Sequence, residues 1–345
     1  MTPLRWLLTV VSFAAAVAAS VYVVWSSWPE AGGGRVSLSW LAHAAAAGAM
    51  ALEIVSRSVK LQLSAHALHL HLGFGAALRT CLGGDFGAAI TPARSGAEPA
   101  RYLVLTEARV APAGRLLILF TELVLEMVSL ALVALALAVV FRGAGAALGG
   151  LVGLVGGYAA FVLGVGAVGL ALARNSANGP PPAWAPYIGL HAGRWRVVQR
   201  SLRHLRETVA AVRHARLGAM TLALLASVLH IAARAMVLPA LVYGARAGLP
   251  ATKDALAPLV LWPLALQYGS VVAPAPGGGG FIEAAFAATL KRDIPAPIFG
   301  ASLIWWRFYT FYAYVLLGGL ATGGTVMRAL RDGRRRHRET VAGAG

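Results

Sequence analysis

Between Leu116 and Val140 the chain carries no basic residue and only two acids, Glu122 and Glu126, in an otherwise almost wholly apolar run. A helix needs about 20 apolar residues to cross the hydrocarbon of a bilayer. Inside that hydrocarbon every backbone N–H and C=O must be satisfied by protein, so such a run folds as an α-helix. Comparable runs recur at Trp6–Trp25, Leu38–Val55, Leu148–Leu172, Leu217–Tyr243 and Ile298–Thr322. Together they predict an all-α integral membrane protein with about six full transmembrane helices. The composition agrees, with 58% hydrophobic and 12% charged residues against about 25% charged in soluble domains. The Ala-rich end of the first run resembles a signal-peptide cleavage region, but its length and the spans that follow favour a retained helix.

Two interruptions break this pattern. Ile90–Arg101 reads I-T-P-A-R-S-G-A-E-P-A-R, and Ala273–Glu283 reads A-P-A-P-G-G-G-G-F-I-E. Each sets prolines and glycines just ahead of a glutamate. Non-helical backbone at membrane depth has to be sheltered by protein or line a cavity. A pair of such breaks, one in each half, is the sequence sign of a transporter-type binding site. They predict two re-entrant or broken helical segments, 80–101 and 255–292, entering from opposite sides in the manner of an inverted repeat. The predicted organisation is an N-terminal membrane half (1–172), a basic cytoplasmic linker (173–216), a C-terminal membrane half (217–327) and a basic tail (328–345).

The formal net charge of +17 does not indicate nucleic acid, because the arginines cluster between apolar spans and are not interleaved with aromatics. Cytoplasmic loops attract Lys and Arg. Arg57 and Lys60, the linker and the tail therefore place both termini in the cytoplasm of a multi-pass protein in a bacterial-type inner membrane. Cys81 is the only cysteine, which excludes an internal disulfide, a thiolate metal cluster and a CxxC pair. His66, His69 and His71 lack an acid or cysteine at ligand spacing, so Leu61–Cys81 reads as an amphipathic interfacial helix and no metal is expected. Gly149, Gly153 and Gly157 share one helix face, a packing surface that suits a homodimer and internal packing equally.

A charge at the bilayer centre costs at least about 2.5–3.5 kcal/mol, so such residues face a cavity or a partner. The candidates are Glu53, Glu98, Glu122, Glu126, His230, Arg234, Glu283 and Arg307. Glu53 is expected near a helix end, pairing with Arg57, and Arg234 is expected opposite Glu122 or Glu126. Glu98 and Glu283 sit beside the breaks, where exposed N–H groups favour an anion; simple capping is the plainer alternative. Arg94, Arg101 and Arg307 complement them, since a guanidinium can bond two oxygens of a phosphate at once.

At these residues the chain resembles the flippase-like transmembrane domain of lysylphosphatidylglycerol synthases, which also occurs as stand-alone membrane proteins. The family's Pro followed by G-G-E-P-x-R reads here Pro92, then Gly96-Ala97-Glu98-Pro99-Ala100-Arg101, with alanine for the second glycine. Its E-R-x-x-D has Glu122 and Glu126 at its ends and Leu123 where the arginine stands. Its P-G-G-x-G-x-x-E is matched by Pro276, Gly277, Gly278, Gly280 and Glu283, and an arginine with downstream aromatics by Arg307 and Tyr312. The motifs lie in order over about residues 80–320. With the sequence ending at Gly345 after a basic tail, the resemblance implies the lipid-translocating half without lysyl transfer.

The expectation is a lipid flippase or transporter acting on membrane lipids, either a phospholipid or a polyprenyl-linked lipid. Arg94, Arg101, Arg234 and Arg307 would hold phosphate, while Glu98 and Glu283 would hold cationic headgroup parts or exchange protons. No cofactor is expected, and no Walker sequence is present. The alternatives are a membrane transferase using Glu98 or Glu283 as base, and an accessory subunit without catalysis.

Overall fold

The computed structural model describes residues 38–91, 94–143, 145–176, 215–245, 252–270 and 276–325, with a few single positions between them. These residues are almost entirely helical and contain no strand. The expected first helix (Trp6–Trp25), most of the basic linker and the tail lie outside the described residues.

Helix α1, Trp40–Ala67, begins at Ser39, whose Oγ accepts from the Ala42 N–H at 3.2 Å and donates to the Gly244 carbonyl at 2.5 Å. α1 does not stop near Val55 as the apolar run suggests. It continues through Arg57 and Lys60, and Glu53, Arg57, Lys60 and Ser64 are all buried. Spaced four, three and four residues apart, they form one polar stripe turned inward, while Leu52 and Val55 face outward. Arg57 and Lys60 therefore do not mark a loop, and Leu61–Cys81 is not one interfacial helix: its first third completes α1 and the rest begins α2, Phe74–Ala89.

α2 and α3 (Ala97–Glu107) form the first interrupted pair. They approach closely at Gly87 and Gly96, where a Cβ on Gly96 would lie 2.6 Å from the Gly87 carbonyl oxygen. α4 (Pro112–Val140) and α5 (Gly145–Ser176) are long apolar helices. α6 (Leu217–Ala235) runs through Met236 into α7 (Val237–Gly244). By length and composition, Pro112–Val140 and Leu217–Gly244 are apolar enough to cross a membrane.

The second interrupted pair is α8 (Lys253–Gly269) and α9 (Phe281–Leu290), with a short 3-10 turn at Pro276–Gly278 between them. α10 (Ala296–Arg307) continues through a π turn at Phe308–Tyr312 into a helix over 313–325. α1 and α6 pack side by side at the centre. One apolar cluster joins α1, α7, α9 and α10, and a second joins α4, α5, α6 and α8. The glycine face of α5 is open: a Cβ at Gly149, Gly153 or Gly157 would meet nothing within 4 Å, so it packs against no described part of this chain.

Candidate functional site

The two interruptions, α6 and the π turn converge on a cavity of about 560 Å³, its open mouth included. Asp85 and Ala89 of α2 form one wall, with Arg94 in the following turn. Arg234 comes from α6, Gln267 and Ser270 from the end of α8, and Arg307, Thr310, Phe311 and Tyr314 from the last helix. A single π turn re-aims the side chains that follow it. Here it follows Arg307 directly and carries Thr310 and Phe311 into the cavity wall.

The glycine-rich motif at 277–283 builds the floor. Gly277 has φ 62°, and a Cβ there would overlap the Phe311 ring, so this left-handed, tightly covered position requires glycine. Its carbonyl accepts from Arg307 Nη2 at 3.2 Å, and Arg307 Nε donates to Glu283 Oε1 at 2.8 Å. The guanidinium also lies 4.6 Å from the centre of the Phe311 ring. Glu283 is 1% exposed, so it stands behind Arg307 and fixes it, and does not itself line the cavity.

Arg234 is held in the same way. Its Nη2 lies 2.9 Å from Glu53 Oε1, and Tyr314 donates to the other oxygen of that carboxylate. Arg57, behind the wall, bonds both oxygens of Asp85 and lies 3.7 Å from Glu53. Arg57 and Arg234 both face the Tyr314 ring. The expected partner of Arg234 was Glu122 or Glu126; the long α1 brings Glu53 to it instead.

Arg94 differs from these. It has φ 56°, a left-handed backbone that costs a non-glycine residue energy and collects at functional sites. It lines the cavity and makes no hydrogen bond or ion pair to any described residue.

A second network lies between α1, α3, α4, α6 and the end of α8. Lys60 Nζ is 2.6 Å from Glu126 and 3.3 Å from Glu122, and Arg101 is 2.6 Å from Glu122. Glu126 also receives the Tyr268 hydroxyl at 2.8 Å and lies 3.3 Å from His230 Nε2. Leu123, where the related motif carries arginine, is exposed. Lys60 and Arg101 supply the cations from other helices.

The predicted residues thus divide. Arg94, Arg234, Gly277 and Arg307 line one cavity, with Glu283 behind them. Arg101, Glu122 and Glu126 belong to the second network. Pro276, Gly278 and Gly280 shape the turn that carries Gly277. Gly96 serves helix approach. Tyr312 is 38% exposed, with its ring 6.0 Å from the Arg307 guanidinium. Glu98 is the departure. Its side chain is 59% exposed, in the first turn of α3 and 3.2 Å from Arg101. That is a first-turn position outside the cavity, and Asp85 occupies the interior place expected of it. Asp85, Lys60, Gln267 and Tyr268 were not anticipated. Asp85 in G-G-D-F-G and Lys60, one of only three lysines, were the available signals.

An all-α membrane bundle with an arginine-lined cavity between two interrupted helix pairs is the class that fold and site define. Residues 5–318 match the family described as the lysylphosphatidylglycerol synthase TM region, and the chain belongs to that family. Comparison with curated proteins gave no match.

Proposed function

We propose that this protein moves an anionic, phosphate-bearing lipid across a bacterial-type inner membrane, with the headgroup passing through the cavity and the chains remaining in the bilayer. Membership of a membrane family named for a lipid synthase supports a lipid-related role. The observation that carries the finer reading is the convergence of Arg94, Arg234 and Arg307 on one polar cavity between the two interruptions. Guanidinium groups hold phosphate oxygens in pairs, and aromatic faces beside Arg307 fix its plane. In this reading the interrupted pairs are re-entrant, about six helices span the membrane, both termini are cytoplasmic, and the protein translocates lipid without modifying it.

Scrambling of fluorescent anionic lipid in proteoliposomes tests the proposal. Wild-type protein should equilibrate label between leaflets. Arg94→Gln, which strands no paired carboxylate, should slow that at least about tenfold, the equivalent of one charge-assisted hydrogen bond, while remaining folded by thermal unfolding in detergent. A folded variant that scrambles at the wild-type rate would count against the cavity as the route.

A further inference from the structure

Resting on the transport reading, we infer that His230 and Glu126 form a proton-binding site, and that lipid movement is coupled to a proton taken up there from one side of the membrane and released to the other. The proton and the anionic lipid travel in the same direction.

His230, on α6, is 1% exposed, and its Nε2 lies 3.3 Å from Glu126 Oε2. Lys60 and Glu53 of α1 act on the same ring. Glu122 of α4 and Tyr268 of α8 reach it through Lys60 and Glu126, and Arg234 stands one turn further along α6 itself. Every carboxylate oxygen of the pair on α4 is engaged. Glu126 Oε1 accepts from Tyr268 and its Oε2 from Lys60, while Glu122 Oε1 faces Lys60 and its Oε2 accepts from Arg101. The Nδ1 of His230 is buried and has no hydrogen-bond partner among the described residues. With the Nε2 hydrogen turned to Glu126, Nδ1 holds a bare lone pair, the place in this network where a proton can be added without breaking a bond. The interior charges already balance without the imidazole, Lys60 and Arg101 against Glu122 and Glu126, so it is not required as a counter-charge. Histidine is the side chain that exchanges a proton near neutral pH, and the Glu126 carboxylate holds the imidazolium that forms.

The coupling follows from where this network ends. Arg101 belongs to α3, in the first interrupted pair, and Tyr268 to α8, in the second. Gln267 and Ser270, on either side of Tyr268, line the cavity, and so does Arg234, four residues after His230. Four residues of helix rise about 6 Å. A proton from water that joins Nδ1 therefore places an unmatched positive charge about one turn from the cavity wall, where it attracts an anion. By reciprocity, an anion in the cavity favours the proton by the same factor. The imidazolium also competes with Lys60 and Tyr268 for Glu126, which loosens the end of α8 that forms part of the wall. When lipid and proton leave on the far side, the original bonds reform.

Proteoliposomes carrying fluorescent phosphatidylglycerol, with the membrane potential clamped at zero by potassium and valinomycin, test the coupling. Protein-free vesicles give the baseline to be subtracted. At equal pH the label should spread evenly between the leaflets. Under a pH difference it should accumulate in the leaflet facing the alkaline side, about tenfold per pH unit for one proton per lipid, whichever way the protein is inserted. A protonophore should abolish the asymmetry. Calorimetric titration of the purified full-length protein with short-chain phosphatidylglycerol, in buffers of different ionisation enthalpy, should show proton uptake on binding. His230→Gln should abolish both the uptake and the accumulation. Label that moves but reaches the same leaflet ratio with and without the gradient overturns the inference and leaves transport standing. So does accumulation on the acid side, or accumulation that persists in folded His230→Gln. Proton uptake that is lost in His230→Gln, with no lipid movement by the wild type, overturns transport and leaves the proton site standing. If the variant does not fold, the wild-type leaflet ratio decides by itself.

Discussion

Lys60 has no exposed surface, and its ammonium lies between Glu126 at 2.6 Å and Glu122 at 3.3 Å. Removing one member of a buried ion pair strands the others in a low dielectric, at about 3–5 kcal/mol. Lys60→Ala should therefore lower the unfolding temperature in detergent sharply. Glu98→Gln should change stability by about 1 kcal/mol or less, because exposed pairs contribute little. Similar losses in the two variants would mean that the burial assigned to Lys60 is wrong. The contrast reverses the weight that sequence reasoning gives these residues. Glu98 stands out in the sequence because Pro99 and Gly96 flank it. Lys60 does not, because a lysine after an apolar run reads as a loop cation until its partners on α4 are known. The inward stripe of Glu53, Arg57, Lys60 and Ser64 was the legible sign that α1 continues.

At the scale of elements, glycine marks two kinds of surface. Gly96 and Gly87 meet backbone to backbone, so Gly96→Val forces α2 and α3 apart and should destabilise the protein by about 1–3 kcal/mol. Gly149 faces open space. Gly149→Ala should be neutral or stabilising by about 0.4–1 kcal/mol through the unfolded chain. Thermal unfolding of both variants in detergent checks the pair. A destabilising Gly149→Ala would show that something covers that face. α4 and the α6–α7 pair were legible from apolar length alone, and the position of both interruptions from their prolines and glycines. The first interruption proves to be two helices in contact, and the sequence shows its glycines without showing which pair touches. Contact between Gly87 and Gly96 depends on how α2 and α3 fold back, which no local spacing encodes.

At the scale of the whole molecule, the interior charges among the described residues are few and almost balanced. Arg57, Lys60, Arg94, Arg101, Arg234 and Arg307 face Glu53, Asp85, Glu122, Glu126 and Glu283. Those five carboxylates are a large share of the chain's 13 acids; Glu53, Glu122, Glu126 and Glu283 stand out in apolar runs or beside a break in the sequence, whereas Asp85 does not. Apart from Glu53 with Arg57, four residues on in α1 and 3.7 Å away, their pairing was not visible, because the other bonds join residues from different helices. The imbalance rests on Arg94, and it faces the cavity between the two interruptions. The most direct measurement is headgroup photocrosslinking: phosphatidylglycerol carrying a diazirine on its headgroup, irradiated with the protein in nanodiscs, with adducts mapped by mass spectrometry. Adducts concentrated on the peptides bearing Gln267 and Thr310, and reduced in Arg307→Ala, are the predicted result. Adducts confined to outward-facing residues of α4 such as Val128 and Leu132, with none at the cavity, would contradict the account.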